Sequence, residues 1–210
     1  MTTTAKKEIL ARIRNAQQLS GTPQRYEAQR TYVRSTDMGR DELRELLIDR
    51  LIDYKAEVVT ATGDSLADVL AATLHDKSCK QVRYAEGLDP ALFAGFDGQA
   101  SADDRTVDPR TLNDVDAVVT DSHVSCAQTG TICLMSNPVC GRRALTLVPD
   151  RHVCIVRMDT VVYGVPEMIG RLDASAPVTM ISGPSATSDI ELARVEGVHG
   201  PRDLIVIVVD

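Results

Sequence analysis

Apolar runs punctuate the chain at two distinct periods. Leu43, Leu46, Leu47, Leu51 and Tyr54 recur at helical spacing behind Asp41 and Glu42, which predicts a helix over 41–54. The run 56–61 follows as a short buried strand. Leu66, Val69, Leu70 and Leu74 then mark a helix over 66–74, and 80–85 reads as another strand. This strand–helix–strand order is the signature of a parallel pair. Residues 86–113 are rich in Gly, Asp and Pro and read as surface loop with one helical turn near 89–93. Strands are expected over 115–120, 132–135, 144–148 and 153–156, joined by links too short for helices and therefore antiparallel. A helix over 166–172 and strands over 178–181 and 204–209 complete the pattern. The expected fold is α/β: a mixed, mostly parallel sheet with helices on both faces and an antiparallel extension.

The amino-terminal region differs. Ile9, Leu10 and Ile13 lie on one side of a weakly amphipathic helix over 3–18, and Gly21-Thr22-Pro23 stops it. Residues 22–38 carry Arg25, Arg30 and Arg34 with Tyr26 and Tyr32 but few aliphatics, so they read as an extended arm suited to an interface or as a loose terminus. The expected division is 1–40, helix and arm, and 41–210, one α/β domain.

Charge and composition narrow the function classes. A net charge of -7 over 210 residues argues against nucleic-acid and anionic-membrane partners. No apolar stretch is long enough to span a bilayer, and the first ten residues lack a signal-peptide run, so a cytoplasmic location is expected. Cys79, Cys126, Cys133, Cys140 and Cys154 show no Cys-x-x-Cys spacing and read as small buried residues. His75, His123, His152 and His199 are scattered without metal-ligand spacing.

Candidate chemistry gathers in three polar segments. Between the strands 178–181 and 204–209 lie Gly183-Pro184-Ser185, then Thr187, Ser188, Asp189 and Glu191, then His199-Gly200-Pro201. Gly183 permits positive φ, and the hydroxyls and acids suit the first turn of a helix, so this reads as a ligand-holding turn or as an ordinary capped one. Gln128-Thr129-Gly130-Thr131 precedes a strand and reads as a pocket-lining loop or a hairpin with a Gly bulge. Arg142 and Arg143 offer a grip for a carboxylate or a solvated pair, and His199 offers a general base or a turn partner. No dinucleotide fingerprint, Walker loop or Gly-x-Ser-x-Gly elbow is present.

Taken together, 127–131 (Ala-Gln-Thr-Gly-Thr), 147–152 (Leu-Val-Pro-Asp-Arg-His), 181–185 (Ile-Ser-Gly-Pro-Ser), 189–191 (Asp-Ile-Glu) and 197–201 (Gly-Val-His-Gly-Pro) resemble the lactate-utilisation protein C family, whose shared unit is the LUD domain. The resemblance covers about 41–210. It implies a fold like that of the NagB/RpiA/CoA-transferase group and a part in oxidising L-lactate to pyruvate beside iron–sulfur proteins of the same operon. It implies no cofactor in this chain, and a homo-oligomer stays among the expected assemblies. Two positions depart from the family pattern: Gln128 stands where Glu is usual, and Ala186 where Arg is usual. The leading expectation is a subunit that binds a small carboxylate or acyl ligand through Gln128, Thr129, Gly130, Thr131, Gly183, Ser185, Thr187, Asp189 and Glu191, with Arg142 neutralising it and His199 moving a proton. The alternatives are a stand-alone isomerase, acyl transferase or ligase on the same scaffold, and a purely structural subunit.

Overall fold

The computed structural model describes residues 3–21, 23, 25, 27–187, 195–196 and 199–210. The chain divides into two units, Met1–Tyr32 and Val33–Asp210. The first contains helix α1, Thr3–Leu19, on which Ile9, Leu10 and Ile13 are all exposed. Tyr26 lies outside the described residues, and 27–39 contains neither helix nor strand.

In the second unit α2 spans Arg40–Asp53. Glu42 accepts a hydrogen bond from the Gly39 N–H at 2.9 Å, which satisfies one of the donors orphaned at the helix start. Strand β1 (Glu57–Ala61), helix α3 (Leu66–Asp76) and strand β2 (Gln81–Tyr84) follow as the periodicity predicts. Strand β3 (Gln99–Ala102) arises inside the stretch read as loop, after a 3-10 turn at Pro90–Phe93. Strand β4 is Ala117–Asp121, β5 Val124–Cys126 and β6 Thr131–Met135. Residues 144–148 are not a strand; a 3-10 turn occupies Arg143–Thr146. Strands β7 (Arg151–Arg157) and β8 (Val161–Val162), helix α4 (Val165–Gly170) and strand β9 (Val178–Ile181) follow. Two-residue strands β10 (Ala186–Thr187) and β11 (Val195–Glu196) pair antiparallel, and β12 (Asp203–Val209) ends the fold.

Six strands form one wholly parallel sheet in the order β1-β12-β7-β4-β2-β3. A second sheet, β8-β5-β6-β9, supplies the antiparallel extension. Strand β7, expected antiparallel to a strand over 144–148, instead lies between β12 and β4 in the parallel sheet, and β4 is likewise parallel to both of its neighbours. The interior of β7, His152 to Val156, is buried throughout, as a strand covered on both faces requires.

The alternation along β12 divides the core. Ile205, Ile207 and Val209 meet Leu66, Leu70 and Leu74 of α3 on one face. Leu204, Val206 and Val208 meet Leu47 and Leu51 of α2 and Ile132 and Leu134 of β6 on the other. Helices thus cover both faces, and the second sheet shares one of them with α2.

Leu51 is fully buried and Ile9 is 49 % exposed. Leu51→Ala is therefore expected to lower stability by about 2–5 kcal/mol, and Ile9→Ala to change it by no more than about 0.5 kcal/mol. Urea unfolding of both variants checks this; equal midpoints would contradict the packing described.

Candidate functional site

The polar connection from β9 to β12 is folded back on itself at the amino ends of β7 and β12. The Ser185 N–H donates to the Pro201 carbonyl at 2.8 Å, and the His199 N–H donates to Ser185 Oγ at 3.0 Å. These two bonds hold the Gly183-Pro184-Ser185 turn against the His199-Gly200-Pro201 turn. Gly183 has φ +81, and any Cβ there would strike the Tyr54 carbonyl, so only glycine fits. Residues 186–187 continue as β10 rather than as a helix, because their backbones pair with 195–196. Ser188, Asp189 and Glu191 lie outside the described residues.

Behind the two turns is a cavity of about 260 Å³, lined by residues 179–186, 199–201, Thr146, Leu147, His152 and Leu204. This is near the lower end of ligand-pocket sizes, about 300–1,000 Å³. The Ser182 and Ser185 hydroxyls and the His152 and His199 rings supply its polar character. Among the described residues no Lys or Arg lines it. His152 and Leu204 are register partners at the second positions of β7 and β12, so the cavity opens at the amino ends of the parallel strands. The usual ligand edge of such sheets is the carboxyl one. There the charged groups are paired: Arg157 Nε reaches Asp121 Oδ2 at 2.7 Å, and Arg44 pairs with Asp210.

The other sequence candidates fall in three places. Thr131 Oγ1 is 2.9 Å from Ser182 Oγ and 2.8 Å from Thr129 Oγ1, so a row of hydroxyls leads from β6 to the cavity wall. Gln128 and Gly130 are not part of that wall. The Gln128 N–H donates to the Tyr163 carbonyl at 2.9 Å, and Gly130, at φ +60, packs against Arg50 of α2. Thr187 lies in β10.

Arg142 is a correction. Its Nε and Nη2 bind both oxygens of Asp103 at 2.7 and 3.0 Å, and its Nη1 donates to the Val107 carbonyl at 3.1 Å. It lines a separate hollow with Arg83 and Ser101. Asp103 is buried and needs this cation, since a buried carboxylate without a partner costs several kcal/mol, on the order of 3–5. Arg142 therefore serves the fold and does not neutralise a ligand in the cavity.

The sequence reading missed His152 as a site residue. The ring is 1 % exposed, lines the cavity, and has Nε2 at 2.8 Å from Thr120 Oγ1. Burial lowers its pKa to about 4, so it is neutral at physiological pH. The available signal was a histidine at the head of an otherwise apolar strand, where β alternation turns it to the same side as Cys154 and Val156. All five cysteines are buried and free, and desolvation raises Cys133 and Cys140 to about 11. Among the described residues no group of three or more His, Cys, Asp or Glu is placed to hold a metal ion, and no helix is long and apolar enough to cross a membrane.

The sequence pattern of the LUD domain matches residues 6–209. The chain belongs to the LUD domain family. It is 39 % identical over 213 residues to the lactate utilization protein C of Deinococcus radiodurans, covering 99 % of this chain and 97 % of that one. The lactate utilization protein C of Shouchella clausii is 32 % identical over 192 residues, 83 % and 82 % of the two chains. The crystal structure of a DUF162 family protein from Deinococcus radiodurans superposes with a TM-score of 0.70 at 33 % identity, covering 82 % of this chain and 99 % of that one. In this LUD domain, then, the segments 181–185 and 197–201 that carry the likeness in sequence include the turns that wall the cavity, with 197 and 198 outside the described residues.

The buried neutral His152 sets a pH dependence. Its folded pKa of about 4 lies below the ordinary 6.5, so as pH falls through that window the unfolded chain takes up a proton that the folded chain refuses. Stability is expected to drop by roughly 3 kcal/mol from this group between about pH 6.5 and 4, and to fall no further from it below that. Asp121, raised by burial, acts in the opposite sense just above its ordinary 3.8. Comparing wild type with His152→Gln by urea unfolding at several pH values isolates the histidine; parallel curves would contradict its burial as the neutral form.

Proposed function

We propose that this LUD domain serves lactate utilisation by binding a small carboxylate in the cavity between the 182–185 and 199–201 turns. The observation that carries the reading is the meeting of these two turns over a small polar cavity. Relatives that match 99 % and 83 % of the chain are named for lactate utilisation, which supplies the substrate class. The cavity volume suits a small acid better than a dinucleotide. Among the described residues the hydroxyls of Ser182 and Ser185 are the groups that meet the carboxylate in this reading. His199 lines the cavity and is exposed, and remains the candidate for proton exchange with a bound acid.

Oxidation of lactate needs an electron acceptor. In this reading iron–sulfur proteins encoded beside the chain supply it, and this subunit binds and presents the acid. The cleft takes the ligand, and the unit at the amino terminus is available for assembly.

Calorimetric titration of L-lactate and pyruvate into the purified chain, alone and with those iron–sulfur proteins, tests the reading. Binding is expected, and Ser185→Ala is expected to weaken it about five- to tenfold by removing one polar contact and the tie to His199. Absence of heat with both acids in both settings would overturn the proposal.

A further inference from the structure

Arg83 stands apart from the other sheltered cations of the chain. It is half-buried, and its Nη1 donates to Ser101 Oγ at 2.5 Å. Among the described residues, every other half-buried Lys or Arg pairs with a carboxylate: Arg44, Arg50, Lys77, Arg142, Arg151 and Arg157 all do. Arg83 has no such pair among them; its partner is a hydroxyl. A hydroxyl engages one of the guanidinium N–H donors and supplies no charge. A cation partly withdrawn from water in this way is matched best by an anion.

The local fold makes room for one. Arg83 and Ser101 are register partners on β2 and β3, and β3 is the edge strand of the parallel sheet. Val82 and Tyr84, on either side of Arg83, enter the core, so strand alternation turns Arg83 to the opposite face. The segment after β3 runs into a 3-10 turn at Pro109–Asp114, whose Thr111 and Leu112 join Arg83 and Ser101 around a hollow of about 150 Å³. The bond to Ser101 keeps the guanidinium beside that hollow. Two carboxylates line it as well. Asp103 is spent on Arg142, which binds both of its oxygens. Asp104 is exposed, and its Oδ1 accepts from the Thr106 N–H and hydroxyl at 2.8 and 2.7 Å. Water and salt screen a carboxylate so placed.

We propose that Arg83 and Ser101 form a binding site for a small oxyanion, a phosphate or carboxylate group, separate from the cavity between the 182–185 and 199–201 turns. The planar fork of Arg83 suits two oxygens of such a group. The Ser101 hydroxyl accepts from Arg83 and keeps its own hydrogen to donate to the anion. The hollow is smaller than the about 300–1,000 Å³ of pockets that enclose a whole drug-sized ligand, so it takes a free ion or the charged end of a longer molecule. The net charge of -7 opposes the approach of any anion, so direct contacts and not the long-range field hold the ligand. The site does not depend on the small-carboxylate reading of the other cavity.

Residue-resolved NMR of the full chain tests it, with inorganic phosphate and, separately, acetate titrated in at an ionic strength held constant with chloride. Saturable shifts are expected at the Arg83 Nε–H and at the amides of 101–104 with at least one of the two ions. A response to phosphate, to acetate or to both supports the site and says which oxyanion it takes. Arg83→Gln keeps a donor for Ser101 and removes the charge, and is expected to weaken binding about tenfold or more. Arg83→Lys keeps the charge without the fork and is expected to weaken it about threefold. No saturable shift with either ion, shifts that chloride alone reproduces, or undiminished binding by a folded Arg83→Gln would each overturn the proposal. If Arg83→Gln does not fold, as judged by circular dichroism, Arg83→Lys and the wild-type shifts decide. Titration of L-lactate in the same spectra reports at 182–185 on the other cavity, so failure of one site is not read as failure of the other.

Discussion

The pairing of β12 with β7 in the interior of the parallel sheet is the constraint on which the remaining architecture depends. Seven register pairs run from Asp203–Arg151 to Val209–Arg157, with apolar layers on both faces. Because side chains alternate strictly, this register decides which residues meet α3 and which meet α2 and β6. A slip of one residue would send Leu204, Val206 and Val208 to the wrong layer and turn His152 away from the cavity. The site is thus a by-product of core registry: its floor includes His152 and Leu204, the first buried residues of two neighbouring strands of the parallel sheet.

The walls are made differently. They come from the connection that leaves the second sheet at β9 and returns to the first at β12, so the cavity lies at the seam between the sheets. The seam is tied by short polar links, Thr131 to Ser182 on one side and Ser185 to His199 and Pro201 on the other. Each is worth only about 0.5–1.5 kcal/mol, far less than the burial that fixes the floor. The site therefore joins a rigid base to a lightly held rim, a division suited to a ligand that must enter and leave.

Much of this could be read from the residues. The helical period of 43–54 and the unbroken apolar run 204–209 gave α2 and β12 to within a residue or so. The turns at 183–185 and 199–201 stood out by composition and do meet. Misreadings came where local signals are silent. Strands β5 and β8, of three and two residues, are too short to show a period. Strand β7 followed a short link from an expected strand at 144–148; since that segment is a 3-10 turn, the argument for antiparallel pairing had no partner to act on. Arg142 looked free because its counter-ion, Asp103, lies 39 residues earlier in the chain and sits in a stretch read as loop. His152 was passed over because one polar residue in an apolar strand has no sequence pattern of its own; only the cavity beside it gives it meaning.

The buried cysteines have a practical corollary. All five thiols are shielded, and those of Cys133, Cys140 and Cys154 are held in the unreactive protonated form by desolvation. A thiol-directed alkylating reagent can reach them only when the surrounding structure opens. Cys133 lies on β6 in the smaller sheet, Cys140 between β6 and β7, and Cys154 at the middle of β7. The chain therefore carries its own graded set of opening gauges, from the second sheet to the centre of the first, and labelling rates at these three sulfurs would rank how readily each layer breathes.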